Sequence, residues 1–176
     1  ALIKAARNGN GDMITILLAS NGNVNAVSKH GITPLLAAIS KNDSVTANSL
    51  ISRGARSGVS KENLLAYAFQ RSPLGIDMML KGGAQPDYAD ANANTALMVT
   101  ASTGDLASVQ SLLDYRANPN LQNKHGMTAL LYAVKNKNFE ISRAILNSKI
   151  KADINLANKL GETPLYWAAY LGQDKI

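Results

Sequence analysis

Gly31-Ile32-Thr33-Pro34-Leu35-Leu36-Ala37-Ala38 decides the reading of this chain, because the chain repeats it. It returns as Gly161-Glu162-Thr163-Pro164-Leu165-Tyr166-Trp167-Ala168-Ala169. Between the two lie Asn94-Thr95-Ala96-Leu97-Met98-Val99-Thr100-Ala101 and Gly126-Met127-Thr128-Ala129-Leu130-Leu131-Tyr132-Ala133. Asn63-Leu64-Leu65-Ala66-Tyr67-Ala68 is a worn copy, and Leu2-Ile3-Lys4-Ala5-Ala6 keeps only the later part. The markers Thr33, Asn63, Thr95, Thr128 and Thr163 stand 30, 32, 33 and 35 residues apart. A period of this length indicates stacked supersecondary units.

A second marker follows each copy in the same order. It reads Asn21-Gly22-Asn23-Val24-Asn25, Arg53-Gly54-Ala55, Gly83-Ala84-Gln85-Pro86-Asp87, Arg116-Ala117-Asn118-Pro119-Asn120 and Lys151-Ala152-Asp153-Ile154-Asn155. Physical chemistry gives each marker a place. The threonines suit N-caps, whose hydroxyls accept from free amides of a first helical turn. Pro34 and Pro164 then fall at N1, where a missing N–H costs nothing. The alanines behind them let neighbouring helices approach closely. A second helix carries an apolar stripe at helical spacing: Met13, Ile14, Ile16, Leu17 and Leu18 in the first copy, Met78 and Met79 in the third, Val109, Leu112 and Leu113 in the fourth, Ile141, Ala144, Ile145 and Leu146 in the fifth. Asn21, Gly54 and Gly83 suit the left-handed residue after a helix, and the Asn/Asp-rich stretch beyond suits a turn or hairpin.

On these residues the chain resembles the ankyrin repeat family over essentially its whole length. The motif T-P-L-x-x-A-A occurs with a matching G-A-x-x-N element at the family's repeat length. The resemblance implies an all-α repeat solenoid of stacked helix–turn–helix units with β-hairpin loops. We expect one domain, 1–176, with approximate repeats 1–28, 29–58, 59–90, 91–123, 124–158 and 159–176. The first and last copies are incomplete, and the chain is expected to be a piece of a longer array.

Departures from the family pattern set further expectations. The histidine usual after T-P-L is replaced by Leu36, Ala66, Met98, Leu131 and Tyr166. Arg116 and Lys151 stand where glycine follows the second helix, so those two turns are expected to differ from the rest. The hairpin between Ala55 and Asn63 is short by three residues, which marks the third repeat as the weak link.

Composition narrows the function. Of 176 residues, 46% are hydrophobic and 17% charged, the balance of an ordinary globular chain. No apolar run approaches the ~18 residues of a membrane span, and the first residues lack the pattern of a signal peptide. The absence of cysteine excludes disulfides, thiolate metal sites and a cysteine nucleophile. It leaves the compartment open: cytoplasmic by default, with a bacterial periplasm or a secreted effector also compatible. His30 and His125 occupy equivalent hairpin positions about three repeats apart, so they are not expected to converge on a metal or an acid–base pair. Gly9-Asn10-Gly11 lacks the G-K-[ST] ending of a phosphate loop. We therefore expect no catalytic residue, metal or cofactor, no enzymatic activity, and a monomer.

The resemblance also implies where a partner docks: on the concave side, made by hairpin tips and the exposed face of each first helix. Counting four residues from the threonine gives Lys4, Ala37, Tyr67, Val99, Tyr132 and Trp167. Counting seven or eight gives Arg7, Lys41, Arg71, Lys135 and Tyr170, and the hairpins add Lys29, His30, Lys124, His125 and Lys159. Eight of these are Lys or Arg, and Glu162 is the nearby acid, with Glu62 a second in the short hairpin. The set also holds four of the nine aromatics. Tyr, Trp and Arg are enriched at interface hot spots. The expectation is a protein partner, acidic in character. Nucleic acid or an anionic surface is the alternative reading of the net charge of +6.

Overall fold

A computed structural model describes residues 1–57 and 63–172. The middle of the short third hairpin, including Glu62, and the start of a second helix expected at 173–176 lie outside the described residues. The described residues form eleven helices: α1 Leu2–Arg7, α2 Gly11–Ala19, α3 Pro34–Ile39, α4 Ser44–Ser52, α5 Asn63–Phe69, α6 Pro73–Lys81, α7 Ala96–Thr103, α8 Leu106–Asp114, α9 Ala129–Lys135, α10 Phe139–Leu146 and α11 Pro164–Tyr170. The first ten run in helix–turn–helix pairs, α11 is the first helix of a further copy, and the fold is an all-α repeat. Among the described residues no strand forms; an isolated antiparallel bridge joins Ala89 to Thr95.

The threonine marker works as its chemistry requires. The hydroxyls of Thr33, Thr95, Thr128 and Thr163 accept from the amides of Leu36, Met98, Leu131 and Tyr166 at 3.2, 3.3, 3.1 and 3.2 Å. Second helices have caps of their own. Asn10, Asp43, Ser72 and Asp105 accept from the amides of Met13, Thr46, Gly75 and Ser108. The Asp43 carboxyl is held below the ordinary range by the Thr46 amide and hydroxyl, against the opposing effect of burial.

The helices gather into two compact units. The first is Ala1–Asn63 with Asp77–Gln85; the second is Leu64–Ile76 with Pro86–Ile176. In the first unit α1 packs on α2 and α3, and α3 on α4. Its core includes Ala6, Ile14, Leu35, Ala38, Ala47, Leu50 and Met79, all essentially sealed from solvent. In the second unit α7 packs on α8 and α9, α9 on α10 and α11, and α8 on α10. Leu97, Met98, Leu112, Leu131, Ile141 and Ile145 fill that core.

The expected stripe on α2 is corrected: only Ile14 is buried, while Met13 and Ile16 are 44% and 58% exposed. Among the described residues the close helix packing of α2 is against α1, and Met13 and Ile16 lie off that contact.

The last residue of the second marker staples one repeat to the next. Asn25 donates from Nδ2 to the Gly54 carbonyl at 3.1 Å and accepts at Oδ1 from the Arg56 amide at 2.8 Å. Asn120 does the same, donating to the Lys151 carbonyl at 2.9 Å and accepting from the Asp153 amide at 2.7 Å. Asp87 accepts from the Asn118 amide at 2.8 Å. Both amide groups of each Asn meet backbone about thirty residues away, which fixes the rise from one loop to the next.

Of the two turns expected to differ, one does. At Lys151 the two extra residues take a separate route, where the Ser148 hydroxyl donates to the Ile150 carbonyl. Arg116 instead adopts the left-handed conformation itself, with φ +62°, beside Gly54 and Gly83 at +88° and +86°. Its neighbour Ala117 donates to the Leu112 carbonyl at 2.9 Å, as Ala55 does to Leu50. The tertiary pattern overrides a local penalty of roughly 1 kcal/mol.

Two stability outcomes follow. Ala93 is left-handed at φ +61°, where the corresponding hairpin residues are Gly31, Gly126 and Gly161. Ala93→Gly is expected to raise the unfolding free energy by about 0.5–1 kcal/mol, seen as a higher urea midpoint at unchanged m-value. Asn120→Ala removes two inter-repeat hydrogen bonds and should lower stability by about 1–2 kcal/mol; an unchanged midpoint would show that the staple is decorative.

Candidate functional site

Four hairpin fingers share one construction. The residue five before the threonine, Ser28, Asp90, Asn123 or Asn158, donates its amide to the carbonyl four residues on: Ile32, Asn94, Met127 or Glu162. Its side-chain oxygen then turns inward and accepts two amides. Ser28 Oγ takes those of His30 and Ile32 at 3.2 and 3.1 Å. Asp90 Oδ1 takes Asn92 and Asn94, both at 2.8 Å. Asn123 Oδ1 takes His125 and Met127 at 2.9 and 3.0 Å, and Asn158 Oδ1 takes Leu160 and Glu162 at 2.9 and 3.0 Å. Closure leaves the next two positions at the tip facing solvent.

In the second unit adjacent fingers are tied together. The Lys124 amide donates to the Asn92 carbonyl at 2.9 Å and the Lys159 amide to the His125 carbonyl at 3.0 Å. Beneath them runs a polar chain. Asn94 Nδ2 donates to Asp90 Oδ2 at 3.1 Å, and the buried Asn123 donates from Nδ2 to Asn94 Oδ1 at 2.9 Å and to Tyr132 Oη at 3.0 Å. Farther along, Glu162 Oε2 accepts from Asn158 Nδ2 at 2.7 Å and from the Trp167 indole N–H at 3.1 Å. Lys135 Nζ stands 4.6 Å from the Trp167 ring centroid, a cation–π contact. Tyr166 and Tyr170 stack on each other at 6.2 Å, and both meet Trp167 edge-on, at 5.9 and 5.6 Å.

The expected contact residues divide between the units. Lys4 and Arg7 on α1, Lys29 and His30 on the first finger, and Lys41 after α3 belong to the first unit and are exposed. The second unit holds Tyr67, Arg71, Lys124, His125, Tyr132, Lys135, Lys159, Trp167 and Tyr170. Lys124, His125, Lys135, Lys159 and Tyr170 are exposed there, and Tyr132 and Trp167 half-buried. The fourth residue after the threonine is not uniformly a surface position: Ala37 and Val99 are buried. Tyr67 is half-buried over Gly75, where an added Cβ would fall 2.5 Å from its ring, and burial pushes its phenol pKa up. Arg71 falls in the inter-helix turn, left-handed at φ +53°, equivalent to Gly104 rather than to Lys135. The shortened third repeat has moved it one position along.

Sequence reasoning missed the framework of this site: Asp90, Asn123 and Asn158. The signal was present as a Ser, Asp or Asn five residues before each intact threonine marker. Tyr166 was also missed as a member of the aromatic cluster. Among the described residues no group of three or more His, Cys, Asp or Glu is placed to hold a metal ion. No helix there is long and apolar enough to cross a membrane.

A repeated, closed finger beside the first of two paired helices defines a class of binding scaffold, and comparison with known proteins supplies the family. The family model for ankyrin repeats (three copies) matches residues 64–158 and 97–176. The chain is 29% identical over 154 residues to the ankyrin repeat and KH domain-containing protein mask-1 of Caenorhabditis elegans, covering 84% of this chain and 6% of that protein. It is 26% identical over 136 residues to an ankyrin repeat-containing protein of Treponema pallidum (strain Nichols), covering 74% of this chain and 46% of the relative. The crystal structure of an ankyrin repeat domain from Acinetobacter baumannii AYE superposes with a TM-score of 0.78 at 29% identity, over 97% of this chain and 91% of that one. The chain belongs to the ankyrin repeat family. It spans less than half the length of these two curated relatives. Members of the family are generally protein–protein interaction modules, a family of binding scaffolds rather than catalysts.

Asp90 gives the finger network a pH dependence. Burial raises its carboxyl pKa, but the Asn94 amide, the Asn94 side chain, the Asn92 amide and the Lys124 charge outweigh it, so the net shift is downward. A carboxyl whose pKa is depressed on folding contributes its full stability above its unfolded value, about 3.9, and loses it as pH falls through the folded value. Asp90→Ser installs the residue that closes the first finger. It is expected to be less stable than the parent near neutral pH, with the gap narrowing as pH falls below about 5 and through the depressed folded value. Urea midpoints across that range check it; parallel curves would show that the charge is irrelevant.

Proposed function

We propose that the chain binds an acidic segment of a protein partner on the finger and first-helix face of its second unit, in the manner of an adaptor, an inhibitor or the targeting module of an effector. One observation carries the reading: the acids of this face are turned inward and the bases outward. The Asp90 carboxylate is taken up by its own finger, and Glu162 by Asn158 and Trp167. Lys124, Lys135 and Lys159 are exposed, and none of them is in a salt bridge among the described residues. The field that reaches solvent is therefore positive. Such a field steers an acidic partner, while half-buried aromatics hold it. Trp167 is already fixed by four neighbours, Glu162, Lys135, Tyr166 and Tyr170, so little side-chain freedom remains to be lost on binding.

On the first unit, Lys4, Arg7, Lys29, His30 and Lys41 are exposed in their own right and are offered as secondary contacts. The spread of bases, one or two per repeat, favours an extended peptide over the dense phosphate track of a nucleic acid.

The test is calorimetric titration of the chain with poly-L-glutamate of about twenty residues and with an oligothymidylate of similar length, at low and high salt. Peptide binding is expected, with Tyr132→Ala and Trp167→Ala each losing about 2 kcal/mol. Losses below about 0.5 kcal/mol for both would remove the aromatics from the interface. Preferential binding of the oligonucleotide, with a log–log salt slope of about −0.7 per phosphate contacted, would replace the reading with the nucleic-acid alternative.

A further inference from the structure

The hydrogen bonds around Asn123 have a direction, and that direction leaves one donor over. Asn123 Oδ1 accepts two backbone amides, of His125 and Met127. A backbone N–H can only donate, so the orientation of this amide is settled: Nδ2 is the group that faces Asn94 and Tyr132. The other end agrees. The Asp90 carboxylate only accepts, so Asn94 turns Nδ2 to it and Oδ1 to Asn123. Asn123 thereby uses both of its amide protons. In the last bond the Tyr132 oxygen is the acceptor, and its own proton is left to be given elsewhere.

The surroundings specify what takes that proton. Tyr132 and Lys135 lie three residues apart on α9 and share one face. Lys135 Nζ is held over the Trp167 ring, and Lys124 and His125 stand on the tip of the finger that Asn123 closes. The Trp167 indole N–H, another donor of this cluster, is already given to Glu162. We infer that the Tyr132 hydroxyl, oriented by Asn123, donates to a side-chain carboxylate of the acidic segment, which lies in the positive field of Lys135 and Lys124. Tyr132 is then the residue that selects a carboxylate by geometry, whereas the lysines attract any anion. This inference rests on the acidic-partner reading above and deepens it to one atom.

The experiment compares the parent chain with Tyr132→Phe, which keeps the ring and removes the hydroxyl. The probe is the same poly-L-glutamate, titrated at several salt concentrations. The hydroxyl's loss is expected to weaken binding about tenfold, the scale of a hydrogen bond to a charged acceptor. The salt slope is expected to stay unchanged, because no charge is removed, whereas Lys135→Gln should flatten it. Hydrogen exchange of the His125 and Met127 amides reports whether the finger remains closed in Tyr132→Phe. Weakened binding with those amides still protected supports the assignment. Unchanged affinity overturns it while leaving the acidic-partner reading intact. Weakened binding with the two amides newly exposed also overturns it, since the hydroxyl would then be only a brace for the finger. If the parent chain does not bind the peptide at all, both readings fall together.

Discussion

Within each closed finger, a single side-chain oxygen accepts two backbone amides, and much of the molecule is arranged around that acceptance. A five-residue turn cannot satisfy its own amides through strand pairing, and a buried unpaired N–H is costly. Ser28, Asp90, Asn123 and Asn158 solve this with three different side chains whose shared property is an oxygen at the right reach. Closure orients the chain so that the threonine, five residues on, arrives in extended conformation, ready to cap the next helix. The same rigidity lets neighbouring fingers exchange backbone hydrogen bonds in the second unit, from Lys124 to Asn92 and from Lys159 to His125. Finger, cap and helix are thus one continuous device rather than three adjacent motifs.

What sequence made legible was local. The capping threonines, the prolines at N1 and the positions of the first helices follow from rules that act within four residues. What it obscured depended on neighbours a repeat away. Asn25 and Asn120 read as turn formers, but their amides are bound to backbone about thirty residues distant. Met13 and Ile16 carry a helical stripe as good as any other, yet burial is a property of the surface a side chain meets, and these two stay exposed. Arg116 shows the opposite case. Its residue type argues against a left-handed turn, and the Ala117–Leu112 hydrogen bond imposes one regardless.

The candidate site was legible as a set of positions and not as a set of roles. Tyr67, Tyr132 and Trp167 share one register, but their surroundings set them to different tasks. Gly75 opens a place for the Tyr67 ring to lie down in. Asn123 braces the Tyr132 hydroxyl from below, and Glu162 captures the Trp167 indole from the side. None of these partners is fixed relative to the threonine marker by helical periodicity. Each comes from a loop or from the second helix, so a count along one helix cannot find them.

The acid–base asymmetry of this face follows from how fingers close. The closing position requires an acceptor, so an acid placed there is drawn inward and its charge is buried in hydrogen bonds, as for Asp90. The two tip positions after it face no such demand, because closure uses a backbone amide there and not a hydrogen bond from their side chains. Lys124-His125 and Lys159-Leu160 can therefore differ freely without disturbing closure, and so can Lys29-His30. Framework and recognition are separated within five residues: one oxygen holds the loop, and the next two side chains are left to meet a partner. A lysine at the tip is then a feature that the fold permits without requiring it. That freedom makes its recurrence in two of the three fingers of the second unit, at Lys124 and Lys159, an argument for the acidic partner proposed for that face.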